Sequence, residues 1–346
     1  MTPQRGACFG FACLGVLALS APPSRADDST ATLRAGGLTL EKTDKIALVS
    51  EDLYLSPTAV KVSYRFRNLT NADVETIVAF PMPDVTGSVD MTVAIPDPGH
   101  DNFLRFVTRV DGKQVGSEVE QRAFLTASGK PDVEITERLK SLGLPLVPTM
   151  EAAGAALAAL SAPQRKSLAD AGIVYPLDVD VGKGAHVDWV PLWTLRSKFW
   201  RSQVFPAGRD LLVEQTYTPG TGSQSSLTFG AADLSAAQES HYRETYCTDG
   251  PFTSAVQSVY RKANAPNSKV RAFEEYLSYV ITSGANWAGP IGSVRLIVDK
   301  GDPQTLVSFC GDSVRKIAPT AFEMTAKDYT PRRDIDVLLI KSNLNR

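Results

Sequence analysis

Hydrophobic and polar residues alternate most regularly between Ala59 and Asn68. The apolar positions are Val60, Val62, Tyr64 and Phe66, and the residues between them are charged or polar. A period of two, carried by β-branched and aromatic side chains, is typical of a half-buried strand. The polar, turn-rich residues 68–73 then predict a hairpin whose second strand is residues 74–80. Because a two-stranded ribbon is marginal alone, the pattern predicts a larger β scaffold around this face.

Similar short segments occupy the whole first third of the chain. Residues 46–55, 103–110 and 115–119 alternate in the same way, and Asp111-Gly112 between the last two is a typical hairpin dipeptide. Many short strands with a turn signal about every ten residues are typical of a sandwich. We therefore predict an N-terminal β-sandwich-like domain over residues 27–130.

The period becomes helical after residue 130. A first helix beginning near Asp132 carries Ile135, Leu139 and Leu142 on one side, and residues 150–160 form a second, alanine-rich helix. Ser161 and Gln164 have the spacing of a capping box and predict a third. These helices predict an insertion over residues 131–172. Packing against a sheet is its expected use, and a lid is the alternative.

Residues 173–346 predict a C-terminal β-rich domain with two helices. Trp193, Leu195, Phe199 and Phe205 share one face of a long strand, and residues 211–217 form the return strand. Apolar stripes predict helices within 256–263 and 270–280. The predicted fold class is therefore mainly β with α insertions (α+β), with two β-sandwich-like domains and a three-helix insertion between them.

The first 26 residues have the pattern of a signal peptide. Arg5 precedes an apolar segment over residues 7–19, and Ser24-Arg25-Ala26 supplies the small residues of a cleavage site. We predict cleavage after Ala26 and a periplasmic or secreted protein. No later segment has the long apolar run of a membrane helix, so we expect no transmembrane segment in the mature chain.

The charge balance argues against nucleic acid as a partner. The formal net charge is −2, and loss of Arg5 and Arg25 with the leader makes it about −4. A mildly acidic chain without a basic cluster lacks the electrostatic footprint of a nucleic-acid-binding protein.

Two cysteines remain after the leader, Cys247 and Cys310. An even cysteine count in an exported chain predicts one disulfide between them. The alternative is a catalytic thiol with His241 or His186 as its base. The disulfide is favoured because unpaired reactive thiols persist poorly in oxidising compartments.

The sequence contains none of the local motifs that mark a catalytic or metal site. Gly-x-Ser-x-Gly, His-Glu-x-x-His, a phosphate-binding loop and Cys-x-x-Cys are all missing. The three histidines, His100, His186 and His241, lack the spacing of zinc ligands, so surface or capping roles are expected. We predict no catalytic residue, no metal and no cofactor.

A calcium site is one alternative to that prediction. Asp178, Asp180 and Asp188 imitate a calcium loop, but Lys183 and Trp189 occupy the positions of its glycine and its terminal glutamate. Loosely bound calcium between the two domains remains the alternative.

Two tryptophans are the candidate binding residues. Trp200 shares its strand face with Arg196 and Lys198, which predicts partial exposure. Trp287 lies in a segment rich in glycine and proline, where functional loops occur. The favoured alternative for Trp287 is packing in the core between the domains, because large aromatic side chains usually bury.

Several tracts resemble a known family. They are Asp28-Ser29-Thr30-Ala31, Gly36-Gly37-Leu38, Ser50-Glu51-Asp52-Leu53, Phe80-Pro81-Met82-Pro83, Phe205-Pro206-Ala207-Gly208 and the run from Thr282 to Ile291. As a set they resemble the bacterial exported family called domain of unknown function 4424, over nearly all of the mature chain. The resemblance implies a periplasmic, largely β protein and brings no established activity. The layout of Val60 to Pro83 and Val110 to Val115 is also similar to vault and inter-alpha-trypsin type β-sandwiches, which implies an interaction module.

These observations predict a periplasmic, non-enzymatic binding or envelope-interaction protein whose partner is an unknown protein or glycan. The alternative is a hydrolase acting on cell-envelope material. Its site would lie at the interdomain cleft, near Trp287 and the loop of residues 178–188.

Overall fold

The computed structural model describes residues 29–34, 37–180 and 184–344. The predicted leader, residues 1–26, lies outside the described residues, as do residues 181–183 of the 178–188 loop. Within these ranges the fold is mainly β with five α-helices, which confirms the predicted α+β class. No helix in the described ranges is long and apolar enough to cross a membrane.

The elements are as follows. The strands are β1 (Ser29–Arg34), β2 (Gly37–Glu41), β3 (Ile46–Ser56), β4 (Ala59–Asn68), β5 (Val74–Pro81), β6 (Val85–Thr86), β7 (Thr92–Ala94), β8 (Val107–Val110), β9 (Lys113–Val115), β10 (Glu118–Leu125), β11 (Val133–Glu134), β12 (Val174–Val179), β13 (His186–Pro191), β14 (Thr194–Phe205), β15 (Asp210–Tyr217), β16 (Thr221–Gln224), β17 (Ala272–Tyr279), β18 (Ile291–Asp299), β19 (Leu306–Phe309), β20 (Arg315–Lys316), β21 (Ala321–Tyr329) and β22 (Ile335–Ser342). The helices are α1 (Thr136–Ser141), α2 (Met150–Ala159), α3 (Ala162–Asp170), α4 (Ala236–Tyr246) and α5 (Gly250–Ala263), with a 3-10 turn at Thr282–Asn286.

One eight-stranded sheet, in the order β20-β21-β18-β3-β4-β15-β8-β9, is the central layer. The predicted inward face of β4 is buried in it, since Val60, Tyr64 and Phe66 are each 0% exposed. A seven-stranded sheet (β11-β10-β14-β5-β1-β2, with β6 beside β14) and a five-stranded sheet (β19-β22-β17-β16-β7) face it. Residues of all three sheets share one apolar core, so the eight-stranded sheet packs against both of the other sheets.

The segments predicted as separate sandwiches, 27–130 and 173–346, contribute strands to the same sheets. β15 pairs with β4 and β14 pairs with β5, both antiparallel, and β18 pairs in parallel with β3. Strands from both sides of the predicted boundaries therefore complete the same layers. The prediction assumed that strands close in sequence pair with each other, whereas the open edges of β4 and β5 are filled by strands much later in the chain.

The predicted hairpin of β4 and β5 is wrong for a related reason. β4 belongs to the eight-stranded sheet and β5 to the seven-stranded sheet, so residues 69–73 cross between layers. The predicted pair of β14 and its return strand β15 also crosses between these two sheets. We call each of these strand–turn–strand connections an arch. The two arches lie side by side and are joined by a bridge between Asn68 and Ala207. An arch turns the apolar faces of both of its strands toward one core, a pattern that sequence periodicity does not distinguish from a hairpin.

Asn68 holds the two arches together. Its side chain is buried and donates from Nδ2 to the carbonyls of Ala72 and Phe205, each at 2.8 Å. Its Oδ1 accepts from the backbone N–H of Thr70 at 2.9 Å. One amide therefore satisfies backbone groups of both arches, and its bond to Phe205 is buried.

Replacing Asn68 with alanine is expected to destabilise the protein by about 2–3 kcal/mol, because the buried carbonyl of Phe205 loses its donor and the backbone N–H of Thr70 loses its acceptor. Urea denaturation measures the change. Asn71→Ala, an exposed asparagine of the same turn, is the matched control and should stay within about 0.5 kcal/mol of wild type. Equal midpoints for the two variants would contradict the proposed bonding role.

The helical regions agree with the sequence only in part. Three helices lie within 131–172, but the first begins at Thr136, and Asp132 instead forms an ion pair with Arg196. The helix predicted within 256–263 belongs to α5. The helix predicted within 270–280 is wrong, because this segment contains strand β17. The second C-terminal helix is α4, which the apolar pattern did not reveal.

Glu323 on β21 is an ion-pair centre at the edge of the eight-stranded sheet. Its carboxylate is 6% exposed and accepts from Nε of Arg295 at 2.9 Å and from Nε of Arg315 at 2.8 Å. These hydrogen bonds, that of Arg295 first, hold the pKa of Glu323 below its ordinary value.

A lowered carboxyl pKa stabilises the fold above the unfolded-state pKa of about 4.3, and the stabilisation is lost as the pH falls through the folded-state pKa. We therefore expect Glu323→Gln to lower Tm at pH 7 and the difference from wild type to shrink below about pH 4. Thermal unfolding from pH 7 to pH 3 measures this. Exposed Glu118→Gln is the control, and a difference for Glu323→Gln that stays constant with pH would contradict the assignment.

Candidate functional site

A cavity of about 500 Å³ opens at the edge of the five-stranded sheet, and we call it the tyrosine cleft. Its walls come from β7, β16, β17 and α4, from the segment around β6, and from the end of β15. The residues that line it are Pro83, Asp84, Val85, Thr86, Met91, Val93, Leu104, Tyr217, Pro219, Gly220, Gly222, Gln224, Thr228, Gln238, His241, Tyr242, Tyr246, Tyr276 and Ser278.

The aromatic wall of the cleft comes from helix α4 and strand β17. Tyr242 and Tyr246 are four residues apart on α4 and therefore lie on one side of the helix. Tyr276 comes from β17, and its ring centroid is 5.8 Å from that of Tyr246. Tyr246 is also 6.1 Å from Tyr242 and 6.2 Å from the ring of His241. The rings therefore form one contiguous surface.

A buried carboxylate, Glu274, anchors this wall from behind. Glu274 is 0% exposed, and its Oε1 accepts from the backbone N–H groups of Thr228 and Phe229, each at 2.6 Å. Its Oε2 accepts from the hydroxyls of Tyr242, at 2.7 Å, and Tyr276. The carboxylate thus ties the helix, the strand and the loop before α4 to one point, and it satisfies four donors in doing so.

The tyrosine hydroxyls are held in the protonated form. Burial and then the charge of Glu274 raise the pKa of Tyr242 above its ordinary value. Burial and the hydrogen bond to Glu274 do the same for the pKa of Tyr276. For the pKa of Tyr246 the causes are burial and then the charge of Asp336. The wall therefore presents neutral phenols backed by acidic groups.

Tyr217 lines the cleft from the end of β15. Its side chain packs beside Phe80 and Phe106, and its hydroxyl is buried without a hydrogen-bond partner among the described residues. Burial alone raises the pKa of this hydroxyl. A buried polar atom without a partner is costly.

The predicted disulfide is present and adjoins the cleft. Cys247 is the residue directly after α4, Cys310 follows β19, and their sulfurs are bonded. The alternative of a catalytic thiol at these two positions is therefore wrong for this structure. His241, the alternative base, contacts Thr245 Oγ1 through Nδ1 at 3.3 Å and lies at the exposed rim of the cleft.

Neither candidate tryptophan lines the tyrosine cleft. Trp287 is 3% exposed and packs with its ring centroid 4.6 Å from Phe66 and 5.9 Å from Phe205. Its place is the shared core, as the favoured alternative expected. Trp200 is half-buried against a small apolar cluster that contains Ala31 and Ala79.

For the alternative cleft site near Trp287 and the 178–188 loop, the described residues fall in two separate apolar clusters. The loop joins β12 and β13, whose Trp189 packs with the helical insertion in an apolar cluster separate from that of Trp287. His186 Nε2 lies 3.5 Å from Asp188, and His100 Nδ1 lies 2.6 Å from Asp97, both in exposed pairs. Among the residues that the structure describes, no group of three or more His, Cys, Asp or Glu side chains is placed to hold a metal.

The site residues that sequence reasoning missed are Tyr242, Tyr246, Tyr276 and Glu274. One local signal was present, because Ser235 and Gln238 have the same capping-box spacing that revealed α3, and both capping bonds form. That signal predicts α4 and places its two tyrosines on one side. Nothing local indicates that Glu274 is buried beside them.

These features define a β-rich protein with an aromatic, carboxylate-anchored cleft. The chain belongs to the family described as "Domain of unknown function (DUF4424)", which matches residues 26–338 and confirms the resemblance noted in the sequence. No curated protein matches it.

Comparison with solved structures gives distant similarities. The chain is similar to a putative nutrient binding protein from Legionella pneumophila, with 13% identity, 90% of this chain and 72% of that chain covered, and a TM-score of 0.39. It is also similar to an M1 zinc metallopeptidase from Deinococcus radiodurans, with 8% identity, 86% of this chain and 43% of that chain covered, and a TM-score of 0.25. Similarities at this level carry no argument about function.

Proposed function

We propose that this protein is a non-enzymatic binding protein of the cell envelope, exported after cleavage following Ala26, and that a small organic ligand or the end of a larger one occupies the tyrosine cleft. The volume, about 500 Å³, lies within the range of ordinary ligand sites. Apolar and aromatic walls with a few polar groups are also typical of such sites.

The observation that carries the proposal is the fixed aromatic wall. Tyr242 and Tyr276 are both hydrogen-bonded to Glu274, and Tyr246 packs against both rings. The carbonyl of Tyr246 also accepts from Ser308 Oγ at 2.9 Å. Rings fixed before binding lose little conformational freedom when a ligand arrives, which favours affinity.

A variant that fills the cleft tests the proposal. Gly222 lines the cleft on β16, and a Cβ there would lie 3.7 Å from Met91 Cε and 3.7 Å from Tyr276 Cδ2, at ordinary contact distance. Gly222→Val should therefore fold normally and occupy space that the ligand needs. Gly116→Val, at an exposed glycine with no neighbouring atom within 4 Å, is the matched control.

The measurement is a thermal-shift screen of envelope metabolites, sugars, amines and short peptides, followed by calorimetry. We expect at least one compound to raise Tm for wild type and Gly116→Val and not for Gly222→Val. Binding that Gly222→Val leaves unchanged would place the ligand elsewhere and contradict the proposal.

The exported location has its own test. Expression of the full chain in a Gram-negative host, followed by osmotic-shock fractionation, should release a protein whose first residue is Asp27. Recovery of a chain that begins at Met1 in the cytoplasmic fraction would contradict the proposed location.

A further inference from the structure

We propose that the ligand of the tyrosine cleft is an organic cation, with a protonated or quaternary amine seated against the rings of Tyr242, Tyr246 and Tyr276. The inference rests on the proposed function, because it names the chemistry of a ligand in the same site. It follows from the charges around the cleft and from the aromatic wall.

The described residues that line the cleft carry no fixed positive charge. No lysine or arginine is among the lining residues that the structure describes, and His241 at the rim is the one lining side chain able to carry positive charge. Asp84 lines the cleft with its carboxylate 3.1 Å from Arg196, so it is already paired. An anionic ligand would find no fixed cation here, whereas a cation meets no repelling one.

Two carboxylates behind the wall strengthen this preference. Glu274 is bonded to Tyr242 and Tyr276, and Asp336 accepts from Ser278 Oγ at 2.7 Å. Burial first, and then the negative charges of these carboxylates, raises the pKa values of Tyr242 and Tyr246. The same potential attracts a positive charge placed on the open side of the rings.

The aromatic surface supplies the contact itself. The face of a tyrosine ring carries negative electrostatic potential and attracts an ammonium group within about 6 Å. Tyr246 packs against Tyr242 and Tyr276, and all three residues line the cleft. Recognition of quaternary ammonium groups by such patches is a general use of aromatic side chains.

The test compares isosteric ligands that differ in charge. Isothermal titration of the full mature protein would use choline, tetramethylammonium and putrescine, with 3,3-dimethylbutan-1-ol as the neutral isostere of choline. We expect at least one of the cations to bind, and choline to bind at least tenfold more tightly than the neutral isostere. We also expect affinity for cations to fall as the salt concentration rises.

Variants separate ring contact from folding. Tyr246→Phe keeps the ring and should bind within about threefold of wild type, whereas Tyr246→Leu should lose at least tenfold with a folded circular-dichroism spectrum. Gly222→Val should block binding with its rings intact.

Failure of this inference is distinguishable from failure of the proposed function. If the neutral isostere binds as tightly as choline, the inference is overturned while the binding proposal stands. Suppose instead that no cation binds, but a neutral or anionic compound from the wider screen does, and that Gly222→Val abolishes this binding. The inference of a cationic ligand is then also overturned, and the binding proposal stands. If nothing binds in either experiment, both are overturned.

Discussion

Glu274→Ala is expected to lower the free energy of unfolding by at least about 4 kcal/mol, more than the loss of the buried amide of Asn68. Glu274 is fully buried and is the shared acceptor of two backbone N–H groups and two tyrosine hydroxyls. Alanine would leave all four donors without it, and each buried donor that loses its partner costs about 1–3 kcal/mol. Guanidinium chloride denaturation measures the change.

Two further variants serve as comparisons for Glu274→Ala. Glu274→Gln keeps the shape, and its amide oxygen can still accept from Thr228 and Phe229 while the tyrosine hydroxyls rotate, so a smaller loss of about 1–2 kcal/mol is expected. Glu239→Ala, at an exposed glutamate in the first turn of α4, should cost less than about 1 kcal/mol. A Glu274→Ala protein as stable as the Glu239→Ala control would show that the carboxylate does not anchor the wall.

Glu274 also shows where sequence reasoning fails at this site. Glu274 and Glu275 are consecutive and both buried, because the first is satisfied by tyrosines and backbone and the second pairs with Lys341. Charged residues at both positions hide the period of two in β17 and leave an apolar spacing that imitates a helix. Burial of a charge depends on partners supplied by the fold, so the linear pattern does not contain it.

The fold, like the site, was predictable only where it depends on residues close together in the sequence. The inward face of β4 and the Asp111-Gly112 hairpin were predictable because each depends on residues a few positions apart. The pairing of β15 with β4 was not predictable from the sequence. The two strands are well over a hundred residues apart, and their pairing depends on which apolar faces meet across the core. Pairing between consecutive strands was the natural expectation, but in each arch the two consecutive strands belong to different sheets.

Removal of the disulfide is the second large effect. The bond between Cys247 and Cys310 closes a loop over a sequence separation of 63, for which the chain-entropy model gives about 4 kcal/mol of stabilisation as an upper estimate. We expect the Cys247→Ser/Cys310→Ser double variant to lose most of this, measured by guanidinium chloride denaturation. Wild type treated with a reductant should give the same midpoint, since the substitution and the reduction remove the same bond.

The loss should be concentrated in α4 and hence in the tyrosine cleft. Only Tyr242 and Tyr246 of this helix are buried, so the helix has little apolar contact to hold it once Cys247 is released. Amide hydrogen exchange should therefore accelerate across residues 236–246 in the double variant, while β4 in the central sheet keeps its protection. Affinity for any cleft ligand should fall in parallel. Uniform acceleration across both elements would mean that the bond stabilises the whole fold and leaves the cleft no more dependent on it than the rest.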